Sequence, residues 1–250
     1  MIQTHQLTRA FGQHLAVDRL DLELRSGELF GLLGPNGAGK TTTMRMLVGL
    51  LNPTSGQAQV AGYDVRTQPV EVKRSVGYLP QSPLVYDFLS GREFLMFYGG
   101  LFGMQDDDIT GAMAPLVENL GLAGDIEREI GGYSGGMKQK LALCAAMVHQ
   151  PQVLILDEPL AGMDPISARA VKDLLRERCR QGDLVLLSTH ILEVAERVCD
   201  RVAIMHHGRL AAVGTLDELR EARRGSDPES LEDIFLELTR DEQLSQALED

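Results

Sequence analysis

GLLGPNGAGKTTT, residues 31–43, is the stretch on which the reading of this chain turns. Within it Gly34, Pro35, Asn36, Gly37, Ala38, Gly39, Lys40 and Thr41 match the phosphate-loop spacing G-x-x-x-x-G-K-[ST], and Thr42 follows. The apolar run Leu29–Leu33 predicts a buried strand before the loop, and the composition of Thr41–Leu51 predicts a helix after it. A glycine-rich turn in that position lets several backbone N–H groups converge on one anion, where a helix N-terminus already favours negative charge. Lys40 adds a mobile cation for β- and γ-phosphates, and Thr41 a hydroxyl placed to ligate Mg²⁺. An ordinary glycine turn with a surface lysine shares the letters but not the strand and helix that flank them.

Bulk properties narrow the field. A chain of 250 residues holds one large or two modest domains. No internal repeat is visible, and no apolar run approaches the roughly 18 residues needed to cross a bilayer. The opening MIQTHQLTRA is too polar for a signal peptide, so any membrane role is expected to be by docking. Cys144, Cys179 and Cys199 are odd in number and too widely spaced for a zinc site, which suggests reduced thiols in a cytoplasm. The formal net charge of −12 is uneven: Leu216–Asp250 carries twelve acidic residues against four arginines, a balance of −8, which leaves −4 for residues 1–215. No broad basic surface results, and no nucleic-acid partner is expected. Local phosphate recognition by backbone amides is unaffected by that balance.

Along the chain, residues 2–28 predict two or three short strands with turns at Gly12 and Ser26-Gly27. Phe11, at the first turn, either packs in a core or stacks on a base from the solvent side. Gly56–Val65 predicts a hairpin, and Val76–Gln81 a strand ended by Pro80. From Pro83 to Gln150 the period becomes helical, over Phe94–Phe102, Ile109–Leu120 and Lys138–Val148, which predicts a helical insert within an α/β core. Asp106-Asp107-Asp108 reads as a solvated helix start. The core resumes with Val153–Leu156 followed by Asp157 and Glu158, then a helix over Pro165–Arg180, a strand Leu184–Leu187 ending in Ser188-Thr189-His190, and a helix to Cys199. Val202–Met205 and Leu210–Val213 predict a hairpin whose turn carries His206-His207, read as a plain turn and not a metal site. Thr215–Asp250 predicts two acidic amphipathic helices separated by Gly225–Pro228.

A phosphate loop needs a group to hold Mg²⁺ and one to ready water. Asp157 and Glu158 suit those two tasks. Adjacent strand residues point to opposite faces, but at the strand's end the second can turn toward a γ-phosphate. His190, also at a strand's end, is either structural or a donor to that phosphate. Ser134-Gly135-Gly136 before the helix from Lys138 is either an ordinary serine cap or a second anion seat.

Taken in order, GPNGAGKT (34–41), Gln81, YSGGM (133–137), LILDE (154–158), AGMD (161–164) and STH (188–190) resemble, over nearly the whole length, the nucleotide-binding subunits of ATP-binding cassette (ABC) transporters. The resemblance implies an α/β fold: a P-loop ATPase core with a mostly parallel sheet and an antiparallel β subdomain (1–82 and 151–215), an inserted helical subdomain carrying the signature (83–150), and an acidic helical extension (216–250). It implies that Phe11 stacks on adenine and that Gln81 senses Mg²⁺ and the γ-phosphate while linking to a membrane partner. It implies that Glu158 is the catalytic base, that His190 contacts the γ-phosphate, and that Asp164 shapes the facing site. It also implies that Ser134 and Gly136 contact ATP held by a second copy, so that a homodimer sandwiches two nucleotides head to tail. Met137 stands where the family commonly has Gln, and Leu160 and Met163 where Thr and Leu are common. The runs His207–Thr215 and Ser230–Thr239 look like the exporter branch of drug, polysaccharide or lipid export ATPases. The expectation is therefore a peripheral ATPase at the cytoplasmic face of the cell membrane, using ATP and Mg²⁺, with integral membrane permease subunits as partners. The alternatives are a soluble ABC-type ATPase acting on nucleic acid or ribosomes, and a regulatory nucleotide binder without hydrolysis; intact Asp157, Glu158 and His190 weigh against the second.

Overall fold

The computed structural model describes residues 1–221 and 231–236. At its centre lies β3 (Leu29–Leu33), buried along its whole length. It sits in a six-stranded sheet with β6 (Val76–Leu79), β7 (Val153–Asp157), β8 (Leu184–Thr189), β9 (Arg201–His206) and β10 (Arg209–Gly214), in the order β10-β9-β3-β8-β7-β6. Every pairing is parallel except the β9–β10 hairpin at one edge. Strands covered on both faces must be apolar on both, which is why Val153–Leu156 and Leu184–Leu187 read as unbroken apolar runs. Successive side chains nonetheless part company: Leu29, Leu33, Leu154, Leu156 and Leu187 enter one core, and Phe30, Leu32, Val153, Ile155 and Leu186 the other.

The second core is closed by a four-stranded antiparallel sheet ordered β2-β1-β4-β5, from β1 (Ile2–Phe11), β2 (His14–Leu24), β4 (Ser55–Val60) and β5 (Tyr63–Asp64). Residues 2–24 thus form two long strands and not the two or three short ones expected. Register shifts between Thr4 and Ala10, with Gln6 and Arg19 both at φ 48°, interrupt the alternation that would have marked their true length. The hairpin expected over Gly56–Val65 is present as β4–β5.

The first core is closed by helices. α3 (Gly91–Leu101), α4 (Asp106–Asn119) and α5 (Gly135–Met147) lie between β6 and β7 in sequence. Ser90 opens α3 with a capping box: its hydroxyl accepts the Glu93 amide, and the Glu93 carboxylate accepts the Ser90 amide. Asp106-Asp107-Asp108 form the exposed first turn of α4, where acidic residues are favoured by the helix dipole. From Leu141 to Met147 every residue of α5 is buried, as expected for a helix enclosed on all sides. α6 (Pro165–Arg180) and α7 (Leu192–Val198) pack on the same face of the sheet.

α1 (Lys40–Leu47) ends four residues earlier than its composition suggests, because the chain turns at Gly49, whose φ is +66°. α2 (Pro69–Ser75) went unpredicted. All three cysteines are free and buried, and burial pushes their thiols up, Cys144 and Cys199 to about 12 and Cys179 to about 11. In the tail, α8 (Leu216–Glu221) is boxed by Thr215 and Glu218, and residues 231–236 are helical with Leu231 and Ile234 buried against the first core. The expected break at Gly225–Pro228 and the remainder of the second tail helix lie outside the described residues.

Candidate functional site

A cavity of about 510 Å³ opens where the C-terminal ends of β3 and β7 meet the tip of the β1–β2 hairpin. It is lined by the loop from Asn36 to Thr42 and by Phe11, Gln81, Asp157 and Glu158. This is the edge at which open α/β sheets place ligands.

The loop keeps its shape through backbone-to-backbone approaches that a side chain would block. Gly34 has φ +154° and Gly39 has φ +103°; a Cβ on the first would lie 2.4 Å from the Met205 carbonyl oxygen, and on the second 2.4 Å from that of Ala16. Gly39 is also the N-cap of α1, so the first-turn amides of that helix have no carbonyl a turn earlier to bond, and the residues that carry them, Lys40, Thr41 and Thr42, line the cavity. Lys40 is 7% exposed, and its ammonium donates to the carbonyls of Gly34 at 2.7 Å and Pro35 at 3.0 Å. Burial pulls its pKa below the usual lysine value, opposed by the carboxylates of Glu158 and Asp157.

Behind the loop lies an oxygen network. Asp157 accepts from the Thr41 hydroxyl at 2.7 Å and from the Ser188 hydroxyl at 2.5 Å. Glu158 follows at φ +52°, a left-handed conformation outside the strand region, and this turn brings the second acid to the same cavity as the first. The Glu158 amide donates to Ser188 Oγ at 3.0 Å, and its Oε1 lies 2.8 Å from Nδ1 of His190. His190 does not itself line the cavity; Glu158 connects it to the site.

Phe11 is 48% exposed and lines the cavity, which removes the core-packing alternative. The Arg9 guanidinium covers the ring at 4.5 Å, a cation–π contact, and is itself tied to the Asn52 carbonyl at 2.8 Å.

Four expected positions, Ser134, Gly135, Gly136 and Asp164, are elsewhere. Ser134 caps α5, its hydroxyl accepting the Met137 amide at 3.3 Å, and Gly135 stands exposed beside it. A Cβ on Gly136 would lie 3.7 Å from the Gly162 carbonyl, so the tip of α5 adjoins the 161–164 loop of its own chain and not its own cavity. Asp164 caps α6, accepting the amides of Ile166 and Ser167 at 3.0 Å each, and the hydrogen bonds from Ser167 hold its carboxyl below the usual carboxylate range.

Two cavity residues, His14 and Ala16, were not foreseen. His14 pairs with Phe11 across the β1–β2 turn, so extending the hairpin register past Gly12 would have found it. Ser188, the first residue of the STH run, has Asp157 as its register partner.

The comparisons agree with one another. The family model described as ABC transporter matches residues 17–161. The chain is 41% identical over 224 residues to an uncharacterized ABC transporter ATP-binding protein, YxlF, of Bacillus subtilis (strain 168), covering 90% of this chain and 74% of that protein. It is 40% identical over 221 residues to the daunorubicin/doxorubicin resistance ATP-binding protein DrrA of Streptomyces peucetius, covering 88% and 67%. A solved structure described as the ATP binding subunit of an ABC transporter superposes with a TM-score of 0.89 at 32% identity, covering 96% of this chain and 99% of that one.

Proposed function

This chain belongs to the ABC transporter family as an ATP-binding protein, and from that premise we propose that it is the ATP-hydrolysing subunit of an exporter, driving separate membrane-spanning subunits by nucleotide-dependent dimer closure. The observation that carries this reading is the convergence on one cavity of the loop amides and Lys40, the Thr41–Asp157 pair, and Glu158 held by His190.

In this reading the phosphates of ATP lie against the loop from Gly34 to Thr42, with Lys40 exchanging its carbonyl partners for β- and γ-oxygens. Phe11, backed by Arg9, stacks on the base, and His14 borders it. The Thr41 hydroxyl, the Asp157 carboxylate and the Gln81 amide are a set of hard oxygen donors that fits Mg²⁺. Among the described residues no cluster of three or more His, Cys, Asp or Glu is placed to hold a metal, so this set would hold the ion jointly with phosphate oxygens. Bound there, Mg²⁺ would neutralise charge developing on the β- and γ-phosphoryl oxygens. Glu158 takes the proton of the attacking water, and the His190 ring, fixed on Glu158 through Nδ1, presents its other nitrogen to the γ-phosphate.

Ser134, Gly135, Gly136 and Asp164 complete the site of a second copy. The exposure of Ser134, Gly135 and Asp164, and the place of all four outside the lining of their own chain's cavity, support that assignment, and a head-to-tail pair gives each nucleotide both loop and helix tip. ATP then bridges two proteins by charge-assisted hydrogen bonds, and hydrolysis removes the bridging group. The division into a core (1–82 and 151–215), a helical subdomain (83–150) and an acidic extension (216–250) belongs to the same proposal.

The membrane partner is assigned to the groove between Gln81 and α3. A recess of about 400 Å³ there is bordered by Leu50, Pro83, Leu84 and Tyr98. Leu84 and Phe88 are 87% and 75% exposed, and Phe97 is half-exposed. Phe94, on the same helix, is 1% exposed and belongs to the core. No described helix is long and apolar enough to cross a membrane, so the spans are assigned to other chains, with this one at the cytoplasmic face. Export is favoured by the resistance protein among its relatives. Co-purification of the tagged chain from detergent-solubilised membranes, with Mg²⁺-dependent phosphate release measured on the product, tests the reading. An integral membrane protein bound at stoichiometric yield supports it; hydrolysis by a chain that never associates with one refutes the exporter assignment.

A further inference from the structure

Glu158 is the last group one would expect to share a cavity with Asp157. Consecutive residues of a strand face opposite ways, and the only escape is a sharp turn immediately after Asp157. The chain takes that escape with a non-glycine residue at φ +52°, a conformation that costs on the order of 1 kcal/mol or more. Something must hold it.

Ser188 is placed to do so. Parallel pairing of β7 with β8 sets it beside Asp157, where it is 0% exposed. Its hydroxyl has one proton and uses it on Asp157 Oδ1 at 2.5 Å, which leaves the oxygen lone pairs to accept the Glu158 amide at 3.0 Å. Asp157 is in turn held by Thr41 at 2.7 Å. A single buried hydroxyl therefore ties the metal-side carboxylate to the backbone turn that aims the next one, and the loop helix to both.

We infer that Ser188 is a positioning residue for hydrolysis: through the Asp157–Ser188–Glu158 bridge it holds the left-handed turn that directs the Glu158 carboxylate at the attacking water. The inference rests on the assignment of Glu158 as base. An alanine at 188 leaves the Glu158 amide buried without an acceptor and the turn free to relax toward extended backbone. Nucleotide affinity is carried chiefly by the loop amides, Lys40 and Phe11, none of which Ser188 touches, so it changes little.

The test uses the full-length chain. Ser188→Ala is expected to lower kcat for ATP about 10- to 100-fold with KM changed less than about threefold, and Ser188→Thr, which keeps the hydroxyl, to restore most of the loss. In a Glu158→Gln background, Ser188→Ala should add less than about a twofold further loss, because its effect passes through the missing base. The exchange rate of the Glu158 amide, read by NMR, should rise at least about tenfold in Ser188→Ala while that of Leu156 does not. If Ser188→Ala does not fold, Ser188→Cys, close in volume but a weak acceptor, is expected to show the same kcat loss. Unchanged kcat in a folded Ala or Cys variant overturns the inference, as does an undiminished loss in the Glu158→Gln background. A wild-type chain that releases no phosphate sinks the hydrolysis reading instead, and amide exchange at Glu158 then decides by itself whether Ser188 holds the turn.

Discussion

Replacing Glu158 by Gln isolates the chemistry of the site from its geometry. The amide is isosteric with the carboxylate, and its oxygen still accepts from His190 Nδ1, the contact that measures 2.8 Å in the native chain. The backbone turn is untouched, since it is held through the Glu158 amide and Ser188. What disappears is basicity. A positioned general base contributes about 10²- to 10⁴-fold, so kcat should fall by that factor, equal to about 3–5 kcal/mol in the barrier. KM should change little, because no cavity group that grips phosphate or base is altered. Steady-state phosphate release at saturating Mg-ATP gives kcat, and single-turnover quench confirms that chemistry is the slowed step. Bound nucleotide should then persist as ATP, and gel filtration should show the ATP-bound dimer accumulating. A variant that hydrolyses within threefold of the wild type removes Glu158 from the role of base, whatever its position.

Three further outcomes test other parts of the structure. Gly39→Ala adds a Cβ 2.4 Å from the Ala16 carbonyl oxygen at φ +103°, and urea melts should show a loss of roughly 3 kcal/mol; a loss below about 0.5 kcal/mol means the loop is not held as described. Phe94→Ala should cost about 3–5 kcal/mol of stability, whereas Phe88→Asp should leave melting nearly unchanged and release the membrane partner, and the reverse pattern would exchange their assignments. His149, stacked flat on Phe102 at 3.7 Å with its Nε2 on the Val76 carbonyl, has a pKa lowered from 6.5 to about 4, chiefly by burial. The unfolded chain thus binds this proton first as pH falls: the stability contribution is complete above pH 6.5 and is lost on acidification toward pH 4, about 2 kcal/mol after allowing for part exposure. His149→Gln should flatten that limb relative to the wild type, and an unchanged limb would place His149 in a wetter setting.

How far the chain could be read in advance depended on how local each signal was. The phosphate loop is a run of consecutive residues, and Val153–Glu158 announces a buried strand with acids at its tip, so both were visible without neighbours. α6 was placed with its true ends because Asp164 and Pro165 make a cap and first turn and nothing interrupts the period before Arg180. α2 was missed because seven residues are two turns, too few for a period to declare itself. β1 and β2 were cut short in the reading because their register shifts spoil the alternation. At the site, Phe11 kept two readings until its exposure was known. Ser188 was hidden for another reason: its importance lies in a cross-strand partner thirty-one positions away, which sequence spacing does not report.

The central claim is that each nucleotide is gripped by the loop of one copy and the serine-glycine tip of another. Chains carrying Lys40→Ala and Ser134→Ala, each inactive alone, decide it when mixed. The account predicts that random pairing of a 1:1 mixture restores about a quarter of the wild-type sites, because every heterodimer regains one intact site and loses the other. A mixture that stays inactive although both chains fold and pair would contradict it.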